Sequence, residues 1–169
     1  MGVEIIAIES SDWVGWVEAA ASFGEIEYNS PASLVSGVVD YASGRKVKLL
    51  HVQAHGSAAG INLGTGQIGM RNLPTFRPLL SRLNPLWDAD PWVDLRACSV
   101  GQNLPFVAAL AAMWGTTIVA GRGRQNNLLD MNIGRYVTVK PDGTHESSFF
   151  VPPQVQYNVV RRAWREAAS

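Results

Sequence analysis

Two stretches decide how this chain reads: Lys46-Val-Lys-Leu-Leu-His-Val-Gln-Ala-His55-Gly56, and Trp92-Val-Asp-Leu-Arg-Ala-Cys98-Ser-Val-Gly101. Each is a Val/Leu-rich run that stops at a chemically useful side chain beside glycine. Buried parallel strands read as such continuous apolar runs, and open α/β sheets carry their chemistry just beyond the strand C-termini. One run ends in His55, the other in Cys98, the only cysteine in the chain. Imidazole takes or balances a thiol proton, so a Cys–His pair is a ready nucleophile.

The flanking sequence alternates strands and helices. Residues 3–8 form a first apolar strand. Ser10-Ser-Asp12 offers N-cap oxygens to a helix carrying Trp13, Val14, Trp16, Val17 and Ala20, ended by Gly24. Ser30-Pro31 opens a second helix that Ser43-Gly44 stops. Strand two, 46–54, delivers His55. The glycines of Gly56–Gly69, with Ile61, Leu63 and Ile68 between them, predict a hairpin laid over that strand end. Leu73–Leu83 reads as a helix with Pro74 in its first turn. Asn84-Pro85 and Asp90-Pro91 are expected to break the chain before strand three, 92–97.

Leu104–Trp114 is a helix capped by Gly115, and Thr116–Ala120 is a fourth strand. Gly121-Arg-Gly-Arg-Gln-Asn-Asn127 is expected to be a polar loop at its C-terminal end. Arg135–Lys140, the turn at Pro141-Asp-Gly143 and His145–Val151 read as an antiparallel hairpin, and residues 155–167 as a last helix. The order implies one α/β domain over 1–169, a sandwich with a mostly parallel sheet and an antiparallel edge.

Composition limits the function. The chain has 169 residues, 47% hydrophobic and 17% charged, with fourteen Lys+Arg against fourteen Asp+Glu. That balance argues against a nucleic-acid or acidic-membrane partner. The N-terminus lacks a signal-peptide pattern, no apolar run reaches the roughly 20 residues of a bilayer span, and a lone cysteine fits a reducing compartment. A cytoplasmic location is the expectation.

The chemistry then sets requirements. Cys98 must be accessible, His55 must stand within hydrogen-bond reach or just across the substrate, and backbone donors must face the developing oxyanion. The N–H groups of Gly56 and Cys98 are the candidates, and the helix opening near Leu104 is a candidate source of positive potential at the sulfur. His51, inside strand two, reads as core or cross-strand structure, and His145 as exposed. Neither has metal-ligand spacing, so no metal or other cofactor is expected.

The stretch His51-Val-Gln-Ala-His55-Gly56-Ser, followed by Gly60-Ile-Asn-Leu-Gly64 and by Val93-Asp-Leu-Arg-Ala-Cys98-Ser-Val-Gly101, resembles the caspase-like cysteine peptidases, including bacterial members carried as domains of unknown function. The resemblance covers roughly residues 46–120. It implies a three-layer α/β/α sandwich of caspase-like topology and a thiol protease acting on a protein or peptide. It makes Cys98 the nucleophile, His55 the catalytic histidine and Gly56 an oxyanion donor.

The residue two before the cysteine lines the specificity pocket in such enzymes. Here that is Arg96, which would suit an acidic side chain before the cleaved bond. Pairing of Arg96 with its face-mate Asp94 is the alternative. Arg96, Asp94, Arg122 and Arg124 make up the expected substrate-binding group. The chain is more compact than caspases and has no Asp-Gly or Asp-Ser linker near its middle. It is therefore expected to be a minimal peptidase, one that needs an activating protein partner, or an inactive interaction module using its terminal helix and exposed tryptophans. A serine hydrolase, hinted at by His55-Gly56-Ser-Ala-Ala-Gly60, lacks the Gly-x-Ser-x-Gly elbow.

Overall fold

A computed structural model describes residues 2–10, 26–126 and 131–156. The expected helix after Ser10, the last helix beyond residue 156, and Trp13, Trp16, Trp164 and Asn127 lie outside the described residues.

The elements run β1 (Val3–Glu9), β2 (Ile26–Tyr28), α1 (Pro31–Ala42), β3 (Val47–Gln53), then the short strands β4 (His55–Ser57), β5 (Gly60–Leu63) and β6 (Gly66–Ile68). They continue with α2 (Leu73–Leu80), a 3-10 stretch Ser81–Leu86, β7 (Trp87–Arg96), a 3-10 turn Val100–Gln102 and α3 (Leu104–Trp114). The last are β8 (Thr117–Gly121), β9 (Arg124–Asn126), β10 (Met131–Ile133), β11 (Tyr136–Val139), β12 (His145–Ser148) and a 3-10 turn Pro153–Val155.

Seven strands form the central sheet in the order β12-β11-β8-β7-β3-β1-β2. β2, β1, β3, β7 and β8 run parallel, and β11 and β12 add an antiparallel edge. The chain is thus mixed α/β with a mostly parallel sheet. β4-β5-β6 form a separate antiparallel meander, in which β5 and β6 make a hairpin between the glycines, as expected, and His55–Ser57 adds a third strand.

Local chemistry explains the elements. Ser30 accepts from the Ser33 amide while the Ser33 hydroxyl accepts from the Ser30 amide, a reciprocal cap that starts α1 with Pro31 in its first turn. Asn103 caps α3 by accepting from Phe106 N–H, and Gly115 ends it in the left-handed region, φ 64°. One face of the sheet, with Ile5, Ala7, Leu50, Val52, Val93, Leu95, Ile118 and Ala120, packs on Leu34, Val38, Leu80, Phe106 and Leu110 from the three helices. On the opposite face Leu49 and Val119 pack on Val155, with Trp92, Tyr136 and Val151 around them.

Three expectations are corrected, and one element is added. Strand three starts at Trp87 rather than 92, because the pairing with β3 jumps from Val47–Trp87 to Leu49–Trp92; this irregularity takes up Asp90-Pro91, whose proline has no ladder N–H to offer. The helix from Leu73 gives way after Leu80 to 3-10 turns, where Pro85 sits. The polar stretch after Gly121 is not all loop, since Arg124–Asn126 pairs with Met131–Ile133 as a hairpin. β2 has no counterpart in the sequence reading, because three residues are too few to show a period.

Two of the described tryptophans are core. Trp87 and Trp114 are core residues in edge-to-face contact with centroids 6.2 Å apart, and Trp92 is half-buried. The Trp114 indole N–H donates to Leu80 O.

Candidate active site at the strand C-termini

β3 and β7 are neighbours and parallel, so His55 and Cys98 emerge side by side. The ladder runs to Gln53–Arg96, and Ala54 N–H extends it by donating to Arg96 O at 3.1 Å. There the chains part. β4 turns away to pair with β5, while β7 enters a tight turn in which Ala97 N–H donates to Leu95 O.

Glycine at position 56 is what lets the two ends touch. A Cβ there would come within 2.6 Å of Val100 Cγ2 and 2.9 Å of both Ala97 Cβ and Cys98 O. The His55-Gly56 backbone is seated on the cysteine turn. Gly56→Ala should therefore cost about 1–3 kcal/mol as the turn is pushed away, and slow thiol labelling along with it. Thermal denaturation and alkylation of the same sample read the two effects.

Cys98 is half-buried and held from two sides. Ser99 adopts the left-handed conformation, φ 59° and ψ 3°, and its N–H donates to Gly123 O at 2.7 Å. For a residue with a Cβ this geometry persists only because surrounding contacts over-determine it. The Gln125 amide donates to Cys98 Sγ at 3.3 Å, and Sγ lies 3.8 Å from Gln125 O. The donor seen at the sulfur is thus a strand amide of β9, and a 3-10 turn stands between Cys98 and the start of α3.

His55 is exposed at the site, its side chain 47% accessible, and its Nε2 lies 4.0 Å from Glu9 Oε2 at the end of β1. Glu9 is buried. Neighbouring Tyr28 donates its hydroxyl to Gln53 O at 2.9 Å. Burial, and then the Glu9 charge, push the Tyr28 phenol well above its ordinary value. The sequence reading missed Glu9, although Val3–Glu9 carries the same signal as the other two strands, an apolar run ending at a reactive side chain.

The expected substrate group divides. Arg96 is buried, and its Nε donates to Asp94 Oδ2 at 2.7 Å. Asp94 Oδ2 also meets His51 Nδ1 at 2.9 Å, and His51 Nε2 faces Glu4 Oε1 at 3.2 Å. The alternative pairing of Arg96 with Asp94 is what the structure contains, with His51 as the cross-strand link the sequence suggested. Burial works against charge on His51, but its hydrogen bonds to the Asp94 and Glu4 carboxylates outweigh it and hold its pKa above the ordinary value. Asp94 is likewise opposed by burial, yet the Arg96 charge and the His51 hydrogen bond hold it below the usual carboxylate range.

Arg122 and Arg124 are exposed on the segment whose Gly123 and Gln125 hold the cysteine turn. The Arg122 carbonyl accepts from Gln102 Nε2 at 2.7 Å, tying the segment to the turn after Cys98. Gln53, the register partner of Arg96, is buried, and neither of its amide atoms has a hydrogen-bond partner among the described residues. His145 is exposed on β12. Among the described residues no helix is long and apolar enough to cross a membrane.

Comparison with curated proteins finds no match, and neither does comparison with solved structures. Residues 18–127 match the family model described as Domain of unknown function (DUF4347), about two thirds of the sequence, and the chain belongs to that family.

Proposed function

We propose that this chain is a cysteine endopeptidase of caspase-like, three-layer topology, in which Cys98 attacks a peptide carbonyl and His55 handles the proton. The observation that carries the reading is the seating of His55-Gly56 on Ala97-Cys98 at the C-terminal edge of adjacent parallel strands. The thiol proton passes to the His55 imidazole as Sγ bonds to the carbonyl carbon. The N–H groups of Gly56 and Cys98 serve the oxyanion. His55 then protonates the leaving amine, and water hydrolyses the thioester. No cofactor enters this chemistry, and the substrate is a protein or peptide.

Selectivity for an acidic residue before the scissile bond falls to Arg122 and Arg124, which are exposed on the segment that holds the cysteine turn, while Arg96 is buried and paired with Asp94.

A second reading, an inactive caspase-like interaction module, is favoured by one feature: the sulfur already accepts from Gln125 N–H in a half-buried setting. Electrophilic peptide probes with acidic or basic P1 side chains separate the two. Labelling of wild type that vanishes in Cys98→Ala, prefers an acidic P1 by about tenfold and loses that preference in Arg122→Ala/Arg124→Ala is the expected result. If neither the probes nor iodoacetamide modifies the folded chain, the module reading takes its place. A probe that reacts only after a binding protein is added would identify an activating partner.

A further inference from the structure

We infer that Glu9 is a positioning residue for His55, so that the site is a Glu9–His55–Cys98 relay rather than a bare dyad; the inference rests on the Cys–His reading above and adds its third member. The topology places Glu9 there for a reason. Counting only the parallel strands, the order is β2-β1-β3-β7-β8, and the chain reverses its direction of travel across the sheet between β1 and β3. The crevice outside the strand C-termini at such a reversal is where open α/β sheets collect their functional groups. Glu9 is the last residue of β1, and His55 follows β3 by two residues.

Three observations support the role. The carboxylate is buried, 3% accessible, whereas the imidazole it faces is 47% accessible. A buried carboxylate facing a half-open histidine ring acts on that ring through a short, weakly screened path. The Tyr28 hydroxyl is committed to Gln53 O, and its pKa is raised by burial first and by the Glu9 charge second. Finally, the 4.0 Å separation of Nε2 from Oε2 is a charge-pair distance. Catalytic contacts in unliganded sites are often long and tighten when substrate binds.

The roles follow. With Nε2 turned to Glu9, Nδ1 is the nitrogen that exchanges a proton with Cys98. The Sγ–H bond breaks, the proton moves to Nδ1, and the sulfur keeps the electron pair as thiolate. The imidazolium is offset by the Glu9 charge, which itself takes no proton. When the proton passes on to the leaving amine, the ring returns to the neutral tautomer with N–H directed at Glu9.

Alkylation of Cys98 by iodoacetamide tests this without a substrate, in wild type, Glu9→Gln, His55→Ala and the double variant, all checked for cooperative thermal unfolding. Glu9→Gln should slow alkylation about tenfold when His55 is present and less than about twofold in the His55→Ala background, since it acts only through the ring. Glu9→Asp, which keeps the charge at shorter reach, should fall between Gln and wild type and also serves if Glu9→Gln fails to fold. Equal slowing in both backgrounds, or no slowing in either, would overturn the positioning role while the Cys–His pair stands. If His55→Ala alkylates as fast as wild type, the Cys–His pair itself falls, and the relay with it.

Discussion

His55→Ala should slow peptide cleavage by about 10²- to 10⁴-fold, and Cys98→Ala should abolish it. These are the largest functional effects expected. In the proposed mechanism, removing the imidazole leaves the attacking sulfur without its proton acceptor and the leaving amine without its acid, whereas the Gly56 and Cys98 amides remain in place. Cys98→Ala removes the bond-forming atom itself, and no second cysteine exists to replace it. Steady-state cleavage of an acidic-P1 peptide gives the rates, and thermal denaturation excludes unfolding as their cause. A His55→Ala protein with wild-type turnover would refute the assignment. The effect should lie in kcat more than KM, because the proposed mechanism uses His55 in the transition state and Arg122 and Arg124 in binding.

Asp94→Ala should be the most destabilising single change, by about 3–5 kcal/mol, because it strips the buried Arg96 guanidinium of a partner at 2.7 Å and His51 of one at 2.9 Å. For a chain of this size that lowers Tm by about 10 °C or more. Truncating a surface carboxylate such as Asp142 should change Tm by far less.

The same network predicts a pH profile. Asp94 is held below the usual carboxylate range, so its contribution is present above about pH 3.9 and is lost as pH falls through its folded-state value. His51 is raised, so its contribution is full below about pH 6.5 and is lost as pH rises through its folded-state value. Stability from these groups should therefore peak between about pH 4 and 6.5. Asp94→Asn should flatten both flanks, as chemical denaturation across that range would show. Unchanged flanks would mean that the network does not couple to folding.

Much of this was readable from residue order. The continuous apolar runs at 3–8, 46–54 and 92–97 marked buried parallel strands. The Ser30-Pro31 and Leu104-Pro105 signals placed two helices, and Pro141-Asp-Gly143 placed the terminal hairpin. Placing His55 and Cys98 at strand ends followed from the same pattern, since a run of β-branched and leucine residues has to stop where the strand leaves the core. Within the described residues, what failed was short or conflicted: three-residue β2, the β9–β10 hairpin in a polar stretch, and a strand that continued through Asp90-Pro91 by shifting its register.

By itself, then, the sequence determined a mixed α/β chain and placed His55 and Cys98 just past the ends of two buried strands, because both depend on local patterns of burial. Only the tertiary structure decided which strands are neighbours. That order put Glu9 behind His55, seated Gly56 on the cysteine turn, supplied the Gln125 amide to the sulfur and tied Arg96 to Asp94 and His51. Contacts between residues tens of positions apart depend on strand order and register, and no local pattern encodes those.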